Sequence, residues 1–261
     1  MSFLLQWRRR LQSTLAPEQR RNVKRFQALR FRGIQRILYG LVFGSDLRSL
    51  ALLYGTDKWG HHWYAQHYER HLAHLRWKRL NILEIGIGGY DDPALGGGSL
   101  RMWRTYFPRA RVFGIDIYDK RPHNERRIHT FQGSQMDDEF LENVVKAIGR
   151  IDMVIDDGSH VNQHVLHSFN YLFRRMSEQG LYVIEDVQTS YKVGFGGSSE
   201  ELNRLDTTMG FVKQLIDGLN YTEYEKKDYE PTYYDKHITA IHCYQNIVFI
   251  QKGQRIQGCR E

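Results

Sequence analysis

The chain has 261 residues, of which 41% are apolar and 13% aromatic, enough to bury the core of one large domain with an appendage. Its two cysteines, Cys243 and Cys259, are not spaced as metal ligands, which argues against both a disulfide framework and a zinc site. No apolar run is long enough to span a bilayer, and the N-terminus lacks the apolar core of a secretory signal. These features predict a soluble, unprocessed, cytoplasmic protein.

Positive charge is concentrated at the start of the chain. The formal net charge is +7, and residues 1–48 hold eleven Lys or Arg against two acidic residues. Apolar side chains beside the three arginines at 8–10 are typical of an amphipathic helix on an anionic membrane surface, and the same charge suits nucleic acid or an acidic partner. A solvated helical arm or a dimerisation element is the simpler interpretation. We divide the chain into a basic helical extension, residues 1–54, and a second domain, residues 55–261.

Helices are predicted before the first strand. Residues 34–54 carry apolar side chains at helical spacing, interrupted at Gly44 and Ser45, and predict two helices. Residues 61–72 predict a third, rich in histidine and aromatic side chains. Its four histidines fall on different helix faces, and no carboxylate or cysteine completes a ligand set. This segment is therefore predicted to form a lid or wall over a site rather than a metal cluster.

From residue 80 onward, short apolar strands alternate with helices, which predicts a parallel sheet with right-handed crossovers. Residues 238–251 predict a two-stranded hairpin after them. The fold class is therefore α/β: a Rossmann-like, doubly wound, seven-stranded sheet with an antiparallel C-terminal hairpin, plus the basic helical N-terminal extension. The strands predicted before the hairpin are residues 80–89, 111–116, 127–132, 151–156 and 181–185, with helices at 99–107, 137–148, 162–173 and 202–219.

The first predicted strand ends in a glycine turn that suits a nucleoside cofactor. Gly86 and Gly88 let the backbone pass close to a ligand, and Glu84 can face that ligand. Asp116, at the end of the second strand, is placed to hold the hydroxyls of a ribose. The carboxylates after the glycine turn disfavour a pyrophosphate, whereas the positive sulfonium and amino group of S-adenosylmethionine suit this charge distribution. The loop at the rim of the nucleoside pocket is predicted to contribute Ser134 and Gln135.

Two later strands end abruptly in acids. Asp156 and Asp157 close one strand, and Glu185 and Asp186 close the next. Because the carboxyl ends of neighbouring parallel strands meet at one edge, these carboxylates should crowd together, and crowded carboxylates require a cation or protons. Oxygen ligands with open positions suit Mg²⁺, which leaves His160 free to act as a base. Taken singly, Asp-Asp-Gly is also a common turn, and acids at strand ends are often only solvated or capping.

Five motifs together resemble one family. They are Gly55-Thr-Asp-Lys58, Glu84-Ile-Gly-Ile-Gly-Gly-Tyr-Asp-Asp-Pro93, Ser99-Leu-Arg-Met-Trp-Arg104, Asp156-Asp-Gly-Ser-His160 and Glu185-Asp186. They are similar to motifs of the class I S-adenosylmethionine-dependent methyltransferases, and specifically of the metal-dependent O-methyltransferases of the mycinamicin and demethylmacrocin type, which modify sugars of macrolide antibiotics. The similarity covers about residues 50–195, and residues 1–48 lie outside it.

This resemblance implies a role for particular residues. Mg²⁺ is expected on Asp157, Glu185 and Asp186, and His160 is expected to be the general base. Glu84, Gly86 and Asp116 are implied on the cofactor, S-adenosylmethionine, and we place Gly88, Ser134, Gln135 and Asp156 there as well.

The predicted reaction is methylation of a sugar hydroxyl on a glycosylated natural product, a glycolipid or a polysaccharide. A small or lipid-linked glycoside is the expected substrate, a homo-oligomer the expected assembly, and peripheral membrane contact through the basic segment a further expectation. The rival hypothesis is an RNA methyltransferase that uses the basic segment for phosphate contacts, although nucleic acid is the less favoured partner because base or ribose methylation needs no carboxylate-bound metal. A binding module that keeps the fold without catalysis is a third hypothesis.

Overall fold

The computed structural model describes residues 44–254, which form a twisted seven-stranded sheet in the order β3-β2-β1-β4-β5-β7-β6. Strands β1 to β5 are parallel, and β7 and β6 add an antiparallel edge. The predicted fold class is confirmed for this part of the chain. The strands are β1 (Asn81–Ile85), β2 (Arg111–Asp116), β3 (Ile128–Gln132), β4 (Ile151–Asp156), β5 (Met176–Glu185), β6 (Ile238–Tyr244) and β7 (Ile247–Lys252).

Helices cover both faces of the sheet because each carries one apolar stripe. One buried cluster joins the first three helices to one sheet face through residues such as Tyr68 and Trp103. The other cluster joins later helices to the opposite face through Phe169 and Tyr182. The helices are α1 (Leu47–Tyr54), α2 (Ala65–Leu72), α3 (Gly98–Tyr106), α4 (Asp138–Ile148), α5 (Asn162–Arg175), α6 (Thr208–Gly218) and α7 (Tyr233–His237). Within residues 44–254, none of them is both long and apolar enough to cross a membrane.

Helix α1 belongs to the core although it lies inside the predicted extension. Leu47, Leu50 and Ala51 are fully buried against α3 and α2. Asp46 caps the start by accepting from the Arg48 N–H at 3.0 Å, and Gly55 ends the helix in the left-handed region at φ +70. The predicted helix before Gly44, and the basic amphipathic segment, lie outside the described residues.

Three predicted helix boundaries differ from the structure. The helix predicted from residue 61 begins at Ala65, since backbone bonds from His62 N to Asp57 O and from Ala65 N to Lys58 O first close a turn. The helix predicted from Leu202 begins at Thr208, after Thr207 accepts the Gly210 N–H. Helix α3 is preceded by a left-handed Gly97 rather than capped by Ser99, whose side chain instead faces Glu84.

The C-terminal hairpin supports the carboxyl edge of the parallel strands. Strand β7 pairs directly with β5, so that Glu185 lies opposite Ile247. The hairpin turn at Asn246 has φ +63, and its carbonyl oxygen accepts the Val187 N–H at 3.2 Å and the Tyr64 hydroxyl at 3.0 Å. The turn therefore holds the segment that follows β5.

Candidate active site

The loops after β1 and β4 touch where the strand order reverses, which is the usual ligand crevice of an open α/β sheet. Gly86 has φ +87, and a Cβ added there would lie 2.1 Å from the Asp157 carbonyl oxygen. The Asp157 N–H donates to the Ile85 carbonyl at 2.9 Å. Only glycine fits this junction, which fixes Asp157 relative to the glycine turn.

Replacing Gly86 with alanine should destabilise the fold. The left-handed conformation costs a non-glycine residue about 1–2 kcal/mol, and overpacking adds about 1–3 kcal/mol. The free energy of unfolding, measured by urea titration, should fall by at least about 2 kcal/mol. Gly196→Ala is the matched control, because Gly196 also has φ +77 but no atom lies within 4 Å of its added Cβ. An equal loss in both variants would contradict the steric argument.

Glu84 and Asp116 flank the glycine turn, as predicted. Asp116 is held by two backbone donors, with Ile87 N–H on Oδ2 and Tyr118 N–H on Oδ1, both at 3.0 Å. Each oxygen keeps a lone pair for a ligand hydroxyl. Glu84 is fully buried. Among residues 44–254, neither of its oxygens has a hydrogen bond of full geometry, although Ser99 and Trp103 lie near enough to lower its pKa.

Burial is the main influence on Glu84. It raises the pKa of this carboxyl to about 7, against the opposing charge of Lys58. Lys58 Nζ lies 3.7 Å from Glu84 Oε1, beyond hydrogen-bond distance, so both oxygens can still accept from a cationic group bound beside them.

Three of the residues predicted on the cofactor are engaged with other side chains or the backbone. Asp156 accepts from Ser168 at 2.6 Å and from Tyr182 at 3.2 Å, and burial raises its pKa to about 6. Gln135 donates to Ser168 at 3.1 Å, and Ser134 accepts the Met136 N–H. Asp156 lies on the opposite sheet face from Glu84, where it ties α5 to the sheet. Cofactor contact by these three residues stays a prediction.

Asp157, His160 and Asp186 converge beyond the ends of β4 and β5. Each offers a ligand atom, and the three atoms lie within 4.8 Å of one another. His160 Nε2 is 3.7 Å from Asp186 Oδ2 and 3.9 Å from Asp157 Oδ1. The predicted crowding of the acids is therefore present for Asp157 and Asp186, but it is wrong for Asp156, whose side chain lies on the opposite face of the sheet.

The backbone adopts the left-handed region at two members of this cluster. His160 has φ +57 and Asp186 has φ +55, a region that residues other than glycine seldom adopt, although histidine and aspartate enter it more readily than most. Such conformations concentrate at functional sites, where the surrounding structure enforces them. Here both side chains reach into the same space.

Glu185 lies deeper than the other acids. Its Oε1 accepts from Lys58 at 2.7 Å and from the Tyr68 hydroxyl at 2.5 Å. Burial, together with the nearby charge of Asp157, raises the pKa of Glu185 well above its ordinary value. Lys58 also donates to Asp157 Oδ2 at 2.8 Å. At least one Glu185 oxygen is thus occupied by protein donors, and its place in the metal set stays a prediction.

Asp186 is supported from the segment before α2. Tyr64 donates to Asp186 Oδ1 at 2.6 Å, and His62 Nδ1 lies 3.8 Å from the same oxygen. Burial alone would raise the pKa of Asp186, but the Tyr64 hydrogen bond and the neighbouring His160 and His62 hold it below its ordinary value. Asp186 therefore stays ionised and available to a cation.

Sequence reasoning missed the roles of Lys58, His62, Tyr64 and Tyr68. The segment that contains the two tyrosines, residues 61–72, is predicted from sequence only as a lid or wall over the site. Their contacts with the acids cross about half of the sequence, so no local spacing reveals them. The available signal was Lys58 itself, a cation in a turn-rich loop shortly before the first strand.

The loop after β5 is held by hydrogen bonds to Asn162, the first residue of α5. Asn162 is 1% exposed, and it donates to the Thr189 carbonyl at 3.3 Å and the Phe195 carbonyl at 2.8 Å. Its Oδ1 accepts from Ser190 and from the Thr208 N–H. Tyr191 and Val193 remain exposed on this loop.

Comparison with known proteins gives consistent matches, although no protein-family model matches the chain. A tetracenomycin rhamnosyl 2'-O-methyltransferase of Streptomyces olivaceus is 47% identical over 79% of this chain. The mycinamicin VI 2''-O-methyltransferase of Micromonospora griseorubida and the demethylmacrocin O-methyltransferase of Streptomyces fradiae are 45% and 46% identical over 82%. Each match covers 54% of the relative. The chain thus spans about half the length of the curated relatives it matches.

A solved structure agrees with this result. The mycinamicin-pathway methyltransferase MycE, in complex with Mg and SAH, superposes with a TM-score of 0.79 at 45% identity. The match covers 82% of this chain and 56% of that one. A second structure of MycE, which also contains mycinamycin VI, gives a TM-score of 0.78. Over the matched region, this chain belongs to the family of the antibiotic sugar O-methyltransferases.

Proposed function

We propose that this protein transfers a methyl group from S-adenosylmethionine to a sugar hydroxyl, with a divalent cation, Mg²⁺, bound beside the acceptor. The observation that carries the proposal is the convergence of Asp157, His160 and Asp186 next to the glycine turn that Glu84 and Asp116 flank. The MycE structures, which contain Mg and SAH, support the same pair of cofactors here.

The pocket residues fit S-adenosylmethionine. The buried Glu84 carboxylate has no full hydrogen bond among the described residues, so a cationic amino acid group would satisfy it. Gly86 and Gly88, both at positive φ, keep side chains out of the crevice, and Asp116 presents two fixed oxygens to a ribose. S-adenosylmethionine supplies an activated methyl group on a positively charged sulfur.

The carboxylate cluster fits a hard divalent cation. The cluster of Asp157, His160 and Asp186 offers mainly oxygen ligands. We propose that Asp157 and Asp186 bind the ion together with Glu185, whose Oε1 also accepts from Lys58 and Tyr68. A divalent cation at that position supplies Lewis acidity, which lowers the pKa of a neighbouring alcohol and orients it. The site lies at the carboxyl ends of β4 and β5, and the side chains of Asp157, His160 and Asp186 are 18–23% exposed, so a glycoside can approach them from solvent.

His160 is the group that we propose removes the proton from the acceptor hydroxyl. Its Nε2 faces the space between Asp157 and Asp186, and the side chain remains partly exposed to solvent. The two carboxylates stabilise the positive charge that the imidazole gains on accepting a proton. An unassisted histidine is too weak a base for a sugar alcohol, so base and cation act together.

The acceptor is proposed from the relatives. Two Streptomyces olivaceus relatives, 47% and 43% identical to this chain, are O-methyltransferases of the rhamnosyl group on tetracenomycin C. The mycinamicin VI and demethylmacrocin O-methyltransferases are 45% and 46% identical. A glycosylated natural product is therefore the first acceptor class, followed by glycolipids and polysaccharides. Exposed aromatic side chains near the site, such as Trp63 and Tyr191, offer faces on which sugars stack.

An acceptor screen tests this function. The protein is incubated with radiolabelled S-adenosylmethionine, Mg²⁺ and separate panels of rhamnosides and other deoxyhexosides, glycolipids and total RNA. Label should enter a glycoside and not RNA. Transfer to RNA alone, lost when residues 1–43 are deleted, would establish the rival RNA methyltransferase. Calorimetry that detects no S-adenosylmethionine binding would favour a non-catalytic binding module.

The remaining partner predictions concern the basic segment and the assembly. Contact of residues 1–43 with a membrane carrying lipid-linked sugars, homo-oligomerisation and a cytoplasmic location are proposals. Sedimentation with anionic liposomes, with and without that segment, tests the first, because each basic residue near such a surface contributes about 1 kcal/mol.

A further inference from the structure

Lys58 is a buried cation that lies within 4 Å of three carboxylates, each from a different strand end. Its side chain is 1% exposed, and Nζ lies 2.8 Å from Asp157 Oδ2, 2.7 Å from Glu185 Oε1 and 3.7 Å from Glu84 Oε1. These acids lie at or just beyond the ends of β4, β5 and β1 respectively. A single ammonium therefore connects the cofactor side of the crevice with the proposed metal side.

The loop around Lys58 fixes the position of the ammonium. Helix α1 ends at Gly55, and Thr56 N donates to the Ala51 carbonyl at 3.0 Å. The Lys58 carbonyl accepts the Ala65 N–H at 2.9 Å at the start of α2. Both ends of the loop are thus attached to buried helices, so the lysine enters the site from a rigid support.

The hydrogen bonds of Lys58 orient particular oxygens. Lys58 donates a hydrogen bond to Asp157 Oδ2, whereas Asp157 Oδ1 is the oxygen nearest His160 Nε2. Lys58 and Tyr68 both donate hydrogen bonds to Glu185 Oε1. Lys58 thus binds Oδ2 of Asp157 and leaves Oδ1 directed to the space between His160 and Asp186.

We propose that Lys58 is a positioning residue that holds Asp157 and Glu185 in place for the divalent cation. This inference rests on the proposed function. Four carboxylates converge here: Glu84, Asp157, Glu185 and Asp186. One ammonium, one divalent cation and the net single positive charge of S-adenosylmethionine together balance their formal charge. Lys58 supplies the part of that balance that is present before either cofactor binds.

Removing the ammonium should therefore weaken metal binding. Without it, Asp157 and Glu185 repel each other and lose the donor that fixes their oxygens. Changes to residues that orient metal ligands commonly lower metal affinity about 10–100-fold. If Lys58 acted only as a repulsive charge near the metal, its removal would tighten Mg²⁺ binding instead. The sign of the change separates the two interpretations.

The experiment is calorimetric titration of Mg²⁺ into the 261-residue protein saturated with SAH. Lys58→Met, which keeps most of the side-chain volume, should weaken Mg²⁺ binding about 10–100-fold, and SAH binding in the same instrument reports that the variant is folded. Tyr68→Phe is the matched control, because it removes a neutral donor from the same Glu185 oxygen. It should lower the Mg²⁺ affinity clearly less than Lys58→Met does, because both contacts of Lys58, including the one with Asp157, remain in place. Unchanged or tighter Mg²⁺ binding in Lys58→Met would overturn the proposal.

A second comparison guards against misfolding of the single variant. Lys58→Met/Glu185→Gln removes one positive and one negative group together, so the net charge of the cluster is kept. It should still bind Mg²⁺ about tenfold more weakly than Glu185→Gln alone, because Asp157 has lost its ammonium partner. Equal affinities in these two variants would overturn the positioning role. Failure of the unaltered protein to bind Mg²⁺ would count against the proposed function, not against Lys58 in particular.

Discussion

Replacing His160 with alanine is expected to lower kcat for methyl transfer by about 10²–10⁴-fold, the usual contribution of a positioned general base. The imidazole lies between Asp157 and Asp186, and no other described histidine approaches both acids. Binding of S-adenosylmethionine should stay within a few-fold of the unaltered protein, because the cofactor contacts are assigned to Glu84 and Asp116. Initial rates with labelled cofactor and calorimetric cofactor affinity measure the two quantities.

The control for this variant is His167→Ala. His167 lies on α5, the helix that follows His160. Its Nε2 is 3.0 Å from an Asp138 carboxylate oxygen on α4, away from the carboxylate cluster. Its loss should leave kcat nearly unchanged. His62 is the rival base, since its Nδ1 is 3.8 Å from Asp186. A large loss of rate in His62→Ala with a small loss in His160→Ala would reverse the assignment.

Chelation with EDTA is expected to abolish methyl transfer, and added Mg²⁺ is expected to restore it. A metal ion contributes several kcal/mol of charge stabilisation to such reactions, which corresponds to a rate loss of about 10³-fold or more when it is removed. Asp186→Asn should reproduce this loss in the presence of Mg²⁺, because it removes a charged ligand while asparagine tolerates the left-handed backbone at φ +55. Methyl transfer with EDTA, and after Mg²⁺ is restored, gives the measurement.

Asp138→Asn is the control carboxylate, because Asp138 is exposed on α4 and lies outside the cluster. It should respond to EDTA and Mg²⁺ as the unaltered protein does. Full activity in EDTA would remove the metal from the mechanism. Activity of Asp186→Asn equal to that of the unaltered protein would show that the ion, if bound, uses other ligands.

The parallel sheet could be predicted from sequence because each strand is an apolar run with a sharp end. Residues 111–116 and 151–156 were predicted with the bounds that the structure has. The acids at the strand ends also indicated where the carboxyl ends of the strands lie, since parallel strands place these ends together. The proximity of Asp157 to Asp186 followed from this rule.

The support of the site could not be predicted in the same way. Lys58 and Tyr68 reach Glu185 across 127 and 117 positions of the sequence. Such contacts depend on how α1 and α2 pack on the sheet, which no periodicity encodes. Likewise, Asp156 follows the same apolar run as Asp157, but strand alternation turns it to the opposite face, where Ser168 and Tyr182 bind it.

The insertion of β7 between β5 and β6 has a consequence for biosynthesis. Strand β5, which carries Glu185, leaves the ribosome about sixty residues before β7 does, and chains emerge from their N-terminal end. Until then β5 presents an open edge, which is prone to pair with other chains, and Tyr64 lacks the Asn246 carbonyl. A nascent chain that has not yet released β7 is therefore exposed to aggregation, and its proposed metal site lacks the support that the hairpin turn gives to Tyr64 and to the segment after β5.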